Sequence, residues 1–151
     1  NALRAFQGLG QFIRYRSTLD TRLRELAILQ VGWLARSPYE WSHHIKLSYE
    51  FGVSDADIEA LIADTAGKAT SLGDLARIVL WAAREATSDG AVSRATFDAL
   101  RRHLSNEHMI DLVMTIAFYN AVVRVLASLE IDVEPDYQKY LNKYPFPAMP
   151  V

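Results

Sequence analysis

The chain has 151 residues, half of them hydrophobic, which is enough for one domain with a sizeable core. Its formal net charge of −2 and sequence pI of about 6.1 give no electrostatic reason to expect nucleic acid or an anionic membrane as a partner. It contains no cysteine, which excludes disulfides, thiolate metal sites and thiol-based reactions. The first residues lack a signal-peptide pattern, so we expect a cytoplasmic protein.

The spacing of apolar residues is helical and predicts an all-α, single-domain bundle of about six to seven helices. In chain order, the predicted helices cover residues 2–15, 21–36, 38–51, 55–65, 72–87, 94–104 and 106–129. Capping signals precede most of them, such as Ser37 followed by Pro38, and Gly52 suits the end of the third. The segment 109–129 is long and mostly apolar, but its Asp111, Asn120 and Arg124 would be costly in lipid. We therefore expect a buried central helix and no membrane partner.

The C-terminal segment has a different composition from the rest of the chain. Four prolines alternate with aromatic residues over 134–151, and Pro145, Pro147 and Pro150 argue against a regular helix there. Because such a tail is too apolar to remain solvated, we expect residues 135–151 to pack on the helical domain, residues 1–134, or on a neighbouring subunit.

Two histidines that are adjacent in the sequence, His43 and His44, lie on different faces of the third predicted helix. Glu40 and His44 share a face with Leu47 and Phe51, whereas His43 shares its face with polar residues. We therefore expect His44 to be partly buried beside Glu40 and His43 to be mostly exposed. A buried Glu–His pair can orient an imidazole for proton transfer near neutral pH, or it can be a polar couple that only satisfies itself.

Further charged residues extend this candidate site. Glu25 lies on an apolar face of the second helix with Gly32, which permits close approach of another backbone, so Glu25 could reach the Glu40–His44 region. Two carboxylates around one histidine also resemble a metal site, but no second histidine ligand is evident and we expect no metal.

Cationic residues provide candidates for substrate binding. On the longest helix, Asn120, Arg124 and Ser128 form a polar stripe, which indicates a buried ion pair, a subunit contact or an anion-binding arginine. Arg24 is a further cationic candidate.

The segments "RLRELAIL" (22–29), "YEWSHHIKLSYEFGVSDADIEAL" (39–61) and "FYNAVVRVLASLEIDVE" (118–134) resemble the carboxymuconolactone decarboxylase-like family of the alkylhydroperoxidase D-like superfamily. This resemblance implies an all-helical fold and homo-oligomers, commonly trimers or hexamers. In the peroxidase branch a Cys-x-x-Cys pair precedes the histidine. Here Ser37 and Glu40 occupy those positions, so disulfide-based peroxide reduction cannot operate. Glu25 and His44 match the family's glutamate and histidine, and Glu40 matches the cysteine-free branch.

The resemblance implies a cofactor-free lyase that acts on a small carboxylated lactone or ring-cleavage product of aromatic catabolism. His44 would donate the proton, Glu40 would orient it, and Glu25 would position substrate or relay a proton. Two alternatives stay open: an isomerase or hydrolase of another cyclic carbonyl compound, and a non-catalytic oligomeric small-ligand-binding protein. An enzyme needs a pocket of roughly a few hundred cubic ångströms beside these residues. The binding protein is favoured if the three side chains are occupied with each other and no cavity adjoins them.

Overall fold

The structure is a computed structural model that describes residues 1–148, and the part of the tail prediction that falls on residues 149–151 lies outside the described residues. Residues 1–148 are all-α, as predicted, with no strand. In chain order the α-helices are α1 Ala2–Tyr15, α2 Thr21–Leu34, α3 Pro38–Glu50, α4 Asp55–Thr65, α5 Asp74–Ser88, α6 Arg94–Leu100, α7 Asn106–Ser128 and α8 Gln138–Lys143. A 3-10 turn, Pro135–Tyr137, leads into α8.

Side-chain caps fix where most of the predicted helices begin. Ser37 accepts a hydrogen bond from the Glu40 amide and Pro38 takes the first position of α3, as the sequence predicts. At α4, Ser54 and Asp57 exchange side-chain and backbone hydrogen bonds in a capping box. These bonds satisfy amides that the first turn of a helix leaves without partners.

The core is built around α2, which contacts α3, α5 and α7. Its side chains are buried on every face from Leu23 to Trp33. At Gly32 the start of α3 lies within contact distance of α2, since a Cβ at this position would lie 3.4 Å from the Trp41 amide nitrogen, an ordinary van der Waals separation. The short connection and this contact make α2 and α3 neighbours.

The longest helix, α7, is by length and composition apolar enough to cross a membrane. A core helix of a soluble protein passes the same test. Here one face of α7, including Leu112, Ile116 and Tyr119, is buried, while Ile110 and Met114 are exposed. α7 therefore contributes one face to the core and leaves an apolar strip on the surface.

The expectation of no regular helix after residue 134 is wrong, because α8 forms there. Pro135 occupies the first position of the 3-10 turn, where its fixed φ is compatible with helical backbone. The stretch Gln138–Lys143 contains no proline, so helix can continue until Pro145 follows.

The described part of the tail lies on α2 and α3 of the same chain. The indole Nε1 of Trp41 donates a hydrogen bond to the Tyr144 carbonyl, 2.9 Å away. The Phe146 ring lies 5.2 Å from the Trp33 ring, centroid to centroid, and the Arg36 guanidinium donates to the Pro147 carbonyl. These contacts bury aromatic surface that would otherwise face water.

Candidate active site

A buried histidine, His44, lies between two carboxylates. Its Nδ1 is 2.7 Å from Oε2 of Glu25, and its Nε2 is 3.0 Å from Oε1 of Glu40. His44 and Glu40 are each 4% exposed and Glu25 is 1% exposed. The Glu25 contact is a hydrogen bond. The Glu40 contact is an ionic one, because this oxygen lies off the direction of the ring N–H.

Two helices supply the three residues. Glu40 and His44 are four residues apart on α3 and therefore lie about one helical turn apart on the same face. Glu25 comes from α2, which packs against α3. The structure thus confirms that Glu25 reaches the Glu40–His44 pair and that His44 is buried.

The electrostatics of the site favour the charged forms of both His44 and Glu25. Burial by itself lowers the pKa of His44, but the neighbouring carboxylates of Glu40 and Glu25 outweigh it and raise that pKa well above its ordinary value. Burial raises the pKa of Glu25, but His44 and Arg24 outweigh it and the pKa is lowered. The two carboxylates therefore favour the protonated form of His44.

Arg24 lies behind this pair. Its Nε and Nη2 donate to Oε1 of Glu25 at 3.2 and 3.1 Å, and its Nη1 donates to the carbonyls of Ile13 and Arg14 at the end of α1. The guanidinium is 4.5 Å from the centroid of the Phe51 ring. Arg24 therefore anchors Glu25 and joins α1 to the site.

A cleft of ≈ 720 Å³ adjoins His44 and Glu40, between α1, α3 and α7. Its volume lies in the range of small-ligand sites. The walls are mainly apolar, and are formed by Leu3, Phe6, Phe118, Val122, Val125 and Leu126. Polar groups also reach it, from Arg4, Gln7, Gln11, Arg14, Tyr39, Glu40, His43, His44 and Tyr119.

The expectation that His43 is mostly exposed is wrong, because its side chain is only 19% exposed. Its ring is stacked between Tyr39 and Tyr137, with centroids 3.9 and 3.7 Å away. Nδ1 donates to the Tyr39 carbonyl at 2.8 Å, and Nε2 is 3.1 Å from Oε2 of Glu134. The C-terminal segment covers the face of α3 that its sequence marks as polar.

The three predicted substrate-binding residues do not line the cleft beside His44. The Asn120 amide donates to Thr87 of α5 at 3.0 Å, and Nη1 of Arg124 donates to the Asn120 carbonyl and side-chain oxygens at 2.6 and 2.8 Å. These two residues lie on a different face of α7 from Tyr119, because successive helical positions are rotated by about 100°. The third, Arg24, is buried behind Glu25.

Sequence reasoning missed Arg14 and Tyr119, which both line the cleft. Tyr119 and His44 have ring centroids 5.0 Å apart and nearly perpendicular ring planes, at 83°. A tyrosine inside the apolar pattern of α7 was the one available signal, since a buried hydroxyl needs a partner. Among residues 1–148 no group of three or more His, Asp or Glu side chains has the arrangement of a metal site.

Solved structures share this fold at low sequence identity. A protein of unknown function from Agrobacterium tumefaciens, ATU0492, is 22% identical with a TM-score of 0.76, over 89% of this chain and 92% of that chain. A peroxidase-related protein from Silicibacter sp. TM1040 is 19% identical with a TM-score of 0.77, over 89% and 71% of the two chains. The debrominase Bmp8, in complex with 2,3,4-tribromopyrrole, is 22% identical with a TM-score of 0.77, over 93% and 74%.

These likenesses establish an AhpD-like fold. No curated protein matches the chain. The family model described as carboxymuconolactone decarboxylase family matches residues 1–85, which is more than half of the 151 residues and includes Glu25, Glu40 and His44. The chain therefore belongs to the carboxymuconolactone decarboxylase family.

Proposed function

We propose that this protein is a cofactor-free lyase that decarboxylates a small carboxylated lactone or a related ring-cleavage product. The observation that carries the proposal is the placement of His44, which is held by Glu25 through Nδ1 and borders a cleft of ≈ 720 Å³. A buried, oriented and protonated imidazole at the wall of a small-molecule cleft is suited to general acid catalysis.

The proposed reaction balances with one proton. The bond between a ring carbon and the carboxylate carbon breaks, and carbon dioxide leaves without the electron pair. The electron pair stays on the organic fragment as an enolate, whose negative charge lies largely on the carbonyl oxygen of the lactone. His44 then donates its Nε2 proton to carbon, becomes neutral and regains a proton from water. One proton is consumed for each carbon dioxide released.

The neighbouring residues have distinct roles in this proposal. Glu25 fixes the ring orientation through the 2.7 Å bond to Nδ1, and Arg24 fixes Glu25 in turn. Glu40 lies beside Nε2 and stabilises the protonated ring. Arg4 and Arg14 place positive charge at the cleft, which favours entry of an anion.

An isomerase or hydrolase of another cyclic carbonyl compound would use the same proton-transfer group. The non-catalytic alternative is less well supported. Glu25, Glu40 and His44 are occupied with each other, as a structural cluster would be, but a cleft of sufficient size adjoins them. The cluster and the adjoining cleft together favour a catalytic site over a polar cluster with only a structural role.

The test is a screen of carboxylated lactones with purified protein, measuring carbon dioxide release and loss of substrate absorbance. We expect turnover by the wild type and a loss of about a hundredfold or more in His44→Gln. His43→Phe is the matched control, because it keeps an aromatic ring between Tyr39 and Tyr137 and should retain most activity. Absence of turnover across the screen, or an undiminished rate in His44→Gln, would contradict the proposal.

A further inference from the structure

Tyr119 lines the cleft, and its hydroxyl donates no hydrogen bond among residues 1–148. The residue is only 4% exposed and lines the cleft next to His44. Its ring is fixed by an edge contact with Phe118, whose centroid is 5.3 Å away at 90°. The hydroxyl oxygen is not among the fully buried polar atoms that lack a partner, so it is accessible, and a ligand oxygen in the cleft can accept its proton.

The guanidinium of Arg14 lies beside this phenol at the cleft wall. Arg14 is half-buried, and within residues 1–148 it forms no ion pair. Five other arginines have carboxylate partners, namely Arg22, Arg24, Arg77, Arg84 and Arg94, and the six that also lack one are exposed. A partly desolvated cation without an anion indicates a place where a negative charge is accommodated.

We propose that the Tyr119 hydroxyl and the Arg14 guanidinium form an oxyanion-binding subsite, which holds the negatively charged oxygen of a planar enolate next to His44. This inference rests on the proposed function for the identity of the enolate. The preference for a planar oxyanion follows from the two side chains alone. Tyr119 is a catalytic residue in this scheme because it touches the oxygen on which charge develops.

The chemistry of the subsite complements that of His44. When carbon dioxide leaves, the electron pair delocalises onto the lactone oxygen, so a donor aimed at this oxygen stabilises the transition state more than the ground state. Burial raises the pKa of Tyr119, although His44 and Arg14 partly offset it, so the phenol keeps the proton that it must donate. The apolar walls strengthen such a bond by excluding water.

The test uses 4-nitrophenol, whose phenolate is a planar oxyanion with a visible absorbance, and 4-nitroanisole, a neutral probe of similar shape. We expect the wild type to bind the phenolate more tightly than the anisole. Tyr119→Phe and Arg14→Gln should each weaken phenolate binding by about tenfold and leave anisole binding nearly unchanged. Circular dichroism establishes that each variant is folded, and the two variants lie on different helices.

Tyr39→Phe is the matched control. Tyr39 also lines the cleft, but its hydroxyl is already 3.5 Å from a carboxylate oxygen of Glu134. Its loss should change phenolate binding by less than about twofold. The subsite is refuted if phenolate binds no better than anisole, if neither probe binds, or if Tyr39→Phe weakens phenolate binding as much as Tyr119→Phe.

The two proposals fail separately. Selective phenolate binding that depends on Tyr119, in a protein that decarboxylates no lactone, would leave the subsite standing and remove the proposed function. Lactone decarboxylation at an unchanged rate in Tyr119→Phe would leave the function standing and remove the subsite. If both hold, Tyr119→Phe should lower kcat by about a hundredfold, the usual effect of losing one oxyanion donor.

Discussion

Replacing Glu25 with glutamine tests the charge arrangement around His44 most directly. The carboxylate accepts one hydrogen bond from His44 and two from Arg24, and all three side chains are buried. Glu25→Gln keeps the shape of the side chain but removes its charge. Arg24, which is 1% exposed, is then a buried cation without an anionic partner.

The expected cost follows from these contacts. Removing one partner of a buried ion pair typically costs about 3–5 kcal/mol, because the remaining charge is uncompensated. We expect about 3 kcal/mol here, at the lower end, because the glutamine oxygen still accepts a bond from Arg24. That is a substantial part of a domain stability of about 5–15 kcal/mol.

The pH dependence of stability carries a definite sign. The folded-state pKa of His44 is raised, so its stabilising contribution is complete below the unfolded value of about 6.5. That contribution is lost as pH rises from there through the folded pKa, at up to about 1.4 kcal/mol per pH unit. In Glu25→Gln, one fewer negative charge opposes the effect of burial, so the pKa of His44 falls. The loss of stability with rising pH should therefore be smaller than in the wild type.

The assay is urea unfolding followed by circular dichroism at a series of pH values, with the His44 imidazole titrated by NMR. Glu50→Gln is the control, since this exposed glutamate ends the helix that carries His44 and its replacement should cost less than about 0.5 kcal/mol. If Glu25→Gln loses less than about 1 kcal/mol, as an exposed pair would, and the pKa of His44 does not fall, the buried ion pair is refuted.

Three further outcomes are expected. Trp41→Phe removes the hydrogen bond to the Tyr144 carbonyl and should lower the free energy of unfolding by about 1–3 kcal/mol, measured by urea titration. Gly32→Ala should be tolerated, since the new Cβ meets the α3 backbone at ordinary contact distance, whereas Gly32→Leu should cost about 1–3 kcal/mol by overpacking, again by urea titration. We propose that another copy of the chain covers the exposed Ile110 and Met114, so light scattering should give a trimer or hexamer of 17.0 kDa subunits; a monomer at micromolar concentration would contradict this.

Features that depend on neighbours within one helical turn could be predicted from the sequence. Ser37 caps α3 and Pro38 begins it, because capping is an interaction between residues three apart. Glu40 and His44 meet because they are four apart. The apolar pattern around His44 also predicted its burial. The absence of cysteine in the chain excluded thiol chemistry from the outset.

Tertiary packing decided which surfaces of different helices meet. The rotation of α7 turns Tyr119 toward His44 and turns Arg124 away from it, and this rotation is set by contacts with α1, α2 and α5 that no local pattern contains. His43 lies on a face that looks polar along α3, yet the chain returns more than 90 residues later and stacks Tyr137 on it. Arg14 faces the cleft only because α1 packs across α7. Periodicity identifies the faces of a helix, whereas the choice of partner for each face depends on how all the buried surfaces fit together.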